Sequence, residues 1–216
     1  LKKSFEEDDF LQIDLDYINT AVIFDIAKKV NLNLELDQVC LLKSWRHCSV
    51  LPGKLFVNIL PRNFYHIDKL IEALPKGRSV VFELSETEVI NNHELLQEKK
   101  IGFSKDDFEV AIDDFGKGYS GFERLLEVKP EIIKLDIAVT ENLHKDETKK
   151  SFVKNLVKIA KSIGALVLAE GVESYQELKS LKELKVDFVQ GYLLHKPQPV
   201  SVLRQDLEEN SQTGVA

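Results

Sequence analysis

The sequence predicts an α/β fold in which a parallel sheet closes into a barrel. Six short apolar segments are typical of strands, and helical segments separate each strand from the next, which indicates a parallel sheet with right-handed crossovers. Each of these six segments carries polar residues at or near its carboxyl end. A doubly wound open sheet gathers its site at one switch point, so polar residues on all six strands favour a closed barrel. We expect the front portion of that barrel to be missing from the sequence or unreadable in it.

Composition sets the class of protein and excludes several functions. The 216 residues, 44% hydrophobic and 30% charged, suffice for one α/β domain with a proper core. The net charge of -7 argues against a DNA or RNA partner, which requires a basic surface, but permits a small nucleotide ligand. No apolar stretch is long enough to span a membrane, so we expect a cytoplasmic protein without membrane contact. Cys40 and Cys48 are expected to be reduced thiols there.

The chain divides into three regions. Residues 1–17 are acidic and predict a loop or a remnant of the start of the barrel. The barrel domain is expected over residues 18–205, and the polar residues 206–216 form a tail. The chain begins at Leu1 and contains no methionine, which indicates a fragment or an incompletely recorded sequence whose missing element lies at the front.

Hydrophobic spacing predicts the individual elements. Helices are expected over Ile18–Val30 and Leu36–Cys48, followed by a strand over Lys54–Leu60 and a helix from Pro61 through Leu74. Strands and helices then alternate, in the order Ser79–Leu84, Glu86–Glu98, Phe108–Asp114, Ser120–Glu127, Glu131–Asp136, Thr148–Ile163, Ala165–Ala169, Tyr175–Leu184 and Phe188–Leu193. One more short helix is expected from Val200.

The most informative acids stand in the segment V-A-I-D-D-F-G-K-G-Y-S, residues 110–120. An apolar run ends there at Asp113 and Asp114, and a turn with Gly116 and Gly118 follows. Two carboxylates at the end of a buried strand are costly unless a positive group accompanies them, and a divalent cation is the commonest such group. The alternative is that both carboxylates only accept hydrogen bonds from a turn or cap the next helix.

The polar residues at the strand ends are expected to meet at one rim of the barrel. In chain order they are Asn58, Glu83, Asp113 with Asp114, Lys134 with Asp136, Glu170 and Gln190. Carboxylate and amide oxygens suit Mg²⁺ or Mn²⁺ rather than zinc, and two such cations serve phosphodiester cleavage. Lys134 can hold the nucleophilic water or neutralise a phosphate. Alternatively it only pairs with Asp136, and Asn58 and Gln190 only cap strand ends.

Six segments together resemble the EAL domain family. They are L-F-V-N-I-L-P (55–61), F-E-L-S-E (82–86), A-I-D-D-F-G-K-G-Y-S (111–120), I-K-L-D (133–136), A-E-G-V-E (169–173) and V-Q-G-Y-L (189–193). Their order and spacing hold from about Ile18 to Pro199. The resemblance implies a (β/α)8 TIM-like barrel whose N-terminal strand is missing or unrecorded. It also implies a metal-dependent phosphodiesterase that hydrolyses cyclic di-GMP to linear pGpG and so lowers a bacterial second messenger.

The resemblance further implies roles for individual residues. Those that match the family's metal ligands are Asn58, Glu83, Asp113, Asp114 and Glu170. Catalysis is expected from Glu83, Asp113 and Glu170 together with Lys134, which orients the attacking water. The residues expected to bind substrate are Gln190, Asp136 and Pro197. Glu86 resembles the glutamate that pins the loop after the paired aspartates, and Glu173 resembles a second supporting acid.

The implied cofactors are two Mg²⁺ or Mn²⁺ ions, and the implied partners are several. They are cyclic di-GMP, a second copy of the chain in a homodimer, and sensory or GGDEF-type domains in a longer native chain. The loop 115–121 is associated in the family with dimerisation and with metal and substrate binding. Its glycines permit the backbone turns that such a loop requires.

Two features depart from the family pattern. The E-A-L motif of the first strand, whose glutamate is a metal ligand in the family, has no counterpart between Leu1 and Ile18. Lys117 stands where the family more often has threonine, and a lysine beside the site either repels a cation or contacts a phosphate. We therefore keep two hypotheses, an active phosphodiesterase and an inactive domain that senses cyclic di-GMP or binds a protein partner. A weaker third hypothesis is an unrelated barrel that acts on another phosphoester.

Overall fold

Six parallel strands form one sheet in the computed structural model, which describes residues 20–48, 51–72, 79–85, 92–102, 108–117 and 121–205. The strands are β1 (Leu55–Asn58), β2 (Val80–Ser85), β3 (Phe108–Phe115), β4 (Ile132–Leu135), β5 (Leu166–Ala169) and β6 (Phe188–Val189). Their spatial order equals their order in the chain, and each neighbouring pair is parallel. The predicted α/β class with a parallel sheet is confirmed.

Helices connect the strands as the hydrophobic spacing predicts. They are α1 (Thr20–Lys29), α2 (Asn33–Cys48), α3 (Pro61–Phe64), α4 (Ile67–Glu72), α5 (His93–Gly102), α6 (Gly121–Val128), α7 (Ile137–Thr140), α8 (Glu147–Ile163) and α9 (Tyr175–Glu183), with a 3₁₀ turn at Leu143–Lys145. Residues 200–205 are helical as well. Residues 18–19, 73–74, 86–91 and 120 of the predicted helices, and the predicted 1–17 and 206–216 regions, lie outside the described residues.

Three elements differ from the sequence expectation. The helix predicted from Pro61 onwards consists of two helices, because the chain turns at Tyr65 and His66 between α3 and α4. The short helix α7 was not predicted, and its four residues are too few to show a helical period. Strand β6 ends at Val189 rather than Leu193, because the chain enters a turn at Gly191, whose carbonyl accepts hydrogen bonds from Leu194 N (3.0 Å) and His195 N (3.2 Å).

The two faces of the sheet are buried in different cores. Residues such as Phe82, Ile112, Ile133 and Val167 belong to the large cluster that includes buried residues of the helices. Alternate residues face the opposite side, where a smaller buried cluster comprises Val81, Ala111, Ile132 and Leu168 with Phe56 packed against it. Because side chains alternate along a strand, the residue two positions after each of these four cluster members faces the same inner side of the sheet.

The sheet curves around this inner cluster. A cavity of about 480 Å³ is lined by Phe56 of the first strand together with Leu168 of β5 and Phe188 of the last strand. Strands β1 and β6 do not pair within the described part of the chain, so the sheet is a half-barrel that is open between them. Among the described helices, none has the length and apolar character that a membrane span requires.

Candidate active site

Charged side chains from neighbouring strands meet at the carboxyl end of the inner face. The Lys134 ammonium of β4 forms ion pairs with Glu83 of β2, with Asp113 of β3 (Nζ–Oδ1, 2.7 Å) and with Glu170 directly after β5 (Nζ–Oε1, 2.8 Å). Each of these four charged residues comes two positions after a member of the inner cluster in the sequence. Lys134 follows Ile132, Glu83 follows Val81, Asp113 follows Ala111 and Glu170 follows Leu168. The strand register therefore brings together four residues that are up to 87 positions apart.

Lys134 is the centre of this cluster. Its side chain is 5% exposed. Burial opposes the charged ammonium, but the attraction of Glu83 and the hydrogen bonds with Asp113, Glu170 and Glu83 outweigh it, so the pKa of Lys134 is raised. An ammonium has three N–H donors, and three carboxylates surround it. The alternative in which Lys134 pairs with Asp136 is wrong, because Asp136 instead accepts a hydrogen bond from Ala138 N (2.7 Å) and caps α7.

The carboxylates outnumber the positive charge. Burial raises the pKa of Glu83 and of Glu170, although Lys134 opposes the shift in both, and repulsion from Asp113 adds to it. A raised carboxyl pKa means that the folded protein resists the ionised form of the acid. The single positive charge of Lys134 therefore does not neutralise the three carboxylates around it.

A bulge in β3 adds a fourth acid. Ile112 pairs with Ile133 and Phe115 pairs with Leu135, so both Asp113 and Asp114 lie opposite the single residue Lys134. Asp114 adopts a left-handed backbone conformation with φ of 57°. Burial, followed by repulsion from Asp113, raises its carboxyl pKa, while Lys117 (Nζ–Oδ2, 3.6 Å) opposes the shift.

Three of these acids can hold a metal ion. One carboxylate oxygen from each of Asp113, Asp114 and Glu170 lies within 4.8 Å of the other two. An all-oxygen set of this kind suits Mg²⁺, Mn²⁺ or Ca²⁺ and not zinc. The donor chemistry and the excess of negative charge therefore both fit a divalent cation at this position.

A second layer of contacts holds the loop after β5, and the sequence did not predict it. The Thr140 hydroxyl of α7 donates a hydrogen bond to the main-chain carbonyl of Glu170. The Glu177 carboxylate accepts hydrogen bonds from Asn142 N (2.8 Å), Glu173 N (3.1 Å) and Ser174 N (3.0 Å). These contacts fix Glu170 from both sides of its loop. The pattern Ser-x-x-Glu at 174–177 forms a capping box, and that signal is readable from sequence alone.

The remaining predicted site residues lie around this cluster. Asn58 ends β1, pairs with Glu83 in the ladder and is exposed. Gln190 is exposed directly after β6, on the far side of the opening from Asn58. Pro197 and Glu173 are exposed as well, and Glu86 lies outside the described residues. None of these positions tests the predicted roles, which remain predictions.

The letters E-A-L do occur in the chain, at residues 72–74. Glu72 is the last residue of helix α4, which follows β1. A glutamate that ends a helix between β1 and β2 does not occupy the carboxyl end of a strand. This tripeptide therefore does not replace the family's first-strand glutamate.

Comparison with known proteins shows similarity to EAL domains and to cyclic di-GMP phosphodiesterases. The sequence model of the EAL domain matches residues 10–197. The chain is 37% identical over 192 residues to the cyclic di-GMP phosphodiesterase PdeR of Escherichia coli strain K12, a match that covers 86% of this chain and 29% of PdeR. It is 26% identical over 190 residues to the cyclic di-GMP phosphodiesterase PdeA of Borreliella burgdorferi, covering 82% of this chain and 28% of PdeA.

A solved structure extends the comparison to the fold. Klebsiella pneumoniae BlrP1, in a complex with calcium and cyclic di-GMP, superposes with a TM-score of 0.70 at 28% identity and covers 81% of this chain and 47% of its own. This likeness confirms the predicted TIM-like barrel class. The chain spans less than a third of the length of the two curated relatives, 28% and 29%.

Proposed function

Because the chain belongs to the EAL domain family, we propose that it hydrolyses cyclic di-GMP to linear pGpG with Mg²⁺ or Mn²⁺ bound at the strand ends. The observation that carries the proposal is the acid cluster around Lys134. Three carboxylates share that one ammonium, and Asp113, Asp114 and Glu170 offer ligand oxygens within 4.8 Å of one another. A chain that needed only the barrel fold would gain nothing from such repulsion between carboxylates.

The acids have distinct places in the proposed reaction. Asp113, Asp114 and Glu170 would hold two cations, with Glu83 and Asn58 beside them on the neighbouring strand ends. When bound, such cations supply polarisation of a phosphoryl oxygen and a lowered pKa for a bound water. Gln190, Asp136 and Pro197 are proposed to contact the dinucleotide, and Glu86 and Glu173 to support the loops.

The proposed role of Lys134, to orient the attacking water, depends on its hydrogen bonds. Its three N–H donors face Glu83, Asp113 and Glu170, so no donor is left for a water in this arrangement. The lysine can orient the attacking water only after one carboxylate turns away from it. Because Asp113 and Glu170 are also the candidate metal ligands, their withdrawal from the lysine is compatible with the proposed site.

Turnover of cyclic di-GMP by the purified chain tests the proposal. We expect pGpG to form with Mg²⁺ or Mn²⁺ and expect Glu83→Ala and Asp113→Ala to abolish its formation. Glu123→Ala, which removes an exposed acid from α6, is the matched control and should leave turnover unchanged. Retained turnover in both site variants, with folding confirmed by circular dichroism, would remove the argument from the acid cluster.

A cyclic di-GMP sensor without hydrolysis is the second candidate. It is favoured by the engagement of all three N–H donors of Lys134 by carboxylates. Equilibrium binding of cyclic di-GMP by calorimetry, with no pGpG after prolonged incubation with Mn²⁺, selects the sensor. Binding followed by cleavage selects the enzyme.

A homodimer and a cytoplasmic location belong to the same proposal. Phe122 and Leu126 on α6 are 54% and 73% exposed, and α6 follows the loop that begins at the paired aspartates. Two large apolar side chains four residues apart on one helix provide a face that a second copy can cover. The two cysteines are free thiols, as the cytoplasm requires.

A further inference from the structure

A row of lysines lines a groove between α8 and α9. The groove has a volume of about 360 Å³. Lys150, Lys154, Lys158 and Lys161 follow one another along α8, at spacings of four, four and three residues that keep them on one face of the helix. Lys185, after the end of α9, lines the other side, and Val157 and Leu184 supply apolar surface between them.

Most of these lysines have no counterion among the residues that the structure describes. Lys150 pairs with Glu147 (2.7 Å), whereas Lys154, Lys158, Lys161 and Lys185 are exposed and form no ion pair with any described residue. Glu183 is the one acid among the residues that the structure places along the groove. In a chain whose net charge is -7, this concentration of positive charge is local, and it complements an anionic ligand.

We propose that this groove binds an acidic segment of a partner protein in extended conformation. Four residues along a helix rise about 6 Å, and alternate side chains of an extended chain are about 6.6 Å apart. A segment in which every second residue is Asp or Glu therefore places one carboxylate near each of Lys150, Lys154 and Lys158. These three lysines span about 12 Å along the helix, which corresponds to about five extended residues.

The shape of the groove favours a peptide over other anions. Val157 is buried between the two helices and Leu184 is half-buried, so a flat membrane surface would reach the lysine tips but not the apolar floor. A nucleic-acid duplex would extend well beyond the lysine row onto a protein surface of net negative charge. A single extended peptide matches the length of the lysine row and its positive charge, and it is narrow enough to contact Val157 and Leu184.

Fluorescence anisotropy with a defined probe tests this proposal, which does not depend on the proposed hydrolysis. The probe is a labelled dodecapeptide that alternates glutamate with valine, and its control is the same peptide with glutamine in place of glutamate. We expect the wild-type chain to bind only the glutamate peptide, with an affinity that falls as ionic strength rises. Absence of binding at low ionic strength overturns the proposal.

Two charge-reversal variants locate the binding. Lys154→Glu combined with Lys158→Glu is expected to weaken binding about tenfold or more, and both side chains are exposed. Lys28→Glu combined with Lys29→Glu makes the same change of net charge on exposed residues of α1 and should leave binding unchanged. Equal loss in both variants overturns the proposal, because it shows a dependence on net charge alone. Tighter binding of duplex DNA or of phosphatidylserine vesicles than of the peptide overturns it as well.

Discussion

Lys134 lies opposite the bulge that contains Asp113, with Nζ 2.7 Å from Asp113 Oδ1. This relationship follows from strand register, because Ile133 pairs with Ile112 and the next two residues of β3 share a single partner on β4. The buried Lys134 ammonium consequently serves one acid of the bulge, Asp113, and two acids from other segments, Glu83 and Glu170. A change in the charge of Lys134 or of these acids should therefore alter both the candidate site and the stability of the fold.

Removal of the Lys134 ammonium should destabilise the protein. Lys134→Met is expected to lower the free energy of unfolding by about 3 kcal/mol at neutral pH in the absence of divalent cations, because it leaves buried carboxylates unpaired. Urea unfolding measures the change. Lys150→Met, which removes a lysine paired with one exposed glutamate, is the control and should cost less than about 1 kcal/mol. Equal losses in the two variants would contradict the central role of Lys134.

Divalent cations should stabilise the chain increasingly as pH rises from about 4 to about 8. The pKa values of Glu83, Glu170 and Asp114 are raised in the folded state. These acids therefore favour folding below their unfolded pKa values of 4.5 and 3.8, and that contribution is lost as pH rises through the higher folded values. Cations bind the ionised carboxylates, so their stabilising effect should grow over the same range.

Thermal melts with and without Mn²⁺ measure this trend. The raised pKa of Lys134 does not disturb it, because its contribution is complete below the unfolded value of 10.5. Asp113→Asn is the control and should reduce the Mn²⁺-induced rise in melting temperature at every pH. A rise that is independent of pH would place the bound cation away from these acids.

Gly171 should be far less tolerant of alanine than Gly164. Both glycines have positive φ, 64° and 78°, which costs an alanine about 1 kcal/mol. A Cβ at Gly171 would also overlap the Ile137 side chain of α7, whereas a Cβ at Gly164 meets nothing within 4 Å. We expect Gly171→Ala to cost about 1–3 kcal/mol more than Gly164→Ala in urea unfolding.

The same pair of variants also reports on the site. Gly171 follows Glu170 directly, so displacement of its loop should weaken Mn²⁺ binding measured by calorimetry. Gly164→Ala, at the end of α8, should leave that affinity unchanged. Unchanged affinity in Gly171→Ala would show that Glu170 is not held by this packing.

Glu177 should contribute to stability above mildly acidic pH. Burial acts against it, but its hydrogen bonds from main-chain amides dominate and lower its pKa from 4.5. Its contribution is therefore present above pH 4.5 and is lost as pH falls through the lower folded value. Glu177→Ala is expected to cost about 2 kcal/mol at neutral pH, and the loss should shrink in acid. Glu183→Ala, exposed on the same helix, should change stability by less than about 0.5 kcal/mol.

The exposed face of α6 should determine the oligomeric state. Leu126→Glu places a charge in the proposed dimer surface and is expected to convert the chain to a monomer, as measured by sedimentation velocity. Val22→Glu, which alters an exposed apolar residue of α1, is the control and should leave the state unchanged. A monomeric wild type, or a dimeric Leu126→Glu variant, would contradict the assignment of this surface.

Particular residues show where sequence reasoning reached its limit. The polar residues at the ends of β1 to β6 were predicted individually, because each strand ends where its apolar run ends. Their partners were not predicted, since Lys134 and Glu83 are 51 residues apart and meet only through the ladder of three adjacent strands. The apolar run that predicted β6 continues to Leu193, but the chain turns at Gly191.

The sequence by itself determined the order of helices and strands, the parallel class of the sheet and the acids at its carboxyl end. These features depend on hydrophobic period and on residues that are neighbours in the chain, so they are visible without coordinates. The tertiary structure alone decided that Lys134 pairs with Glu83, Asp113 and Glu170, and that Thr140 and Asn142 form hydrogen bonds with Glu170 and Glu177 after β5. The bulge and the lysine groove belong to this second class as well. Each depends on register, curvature or helix packing between segments distant in the chain, and no local pattern encodes those relations.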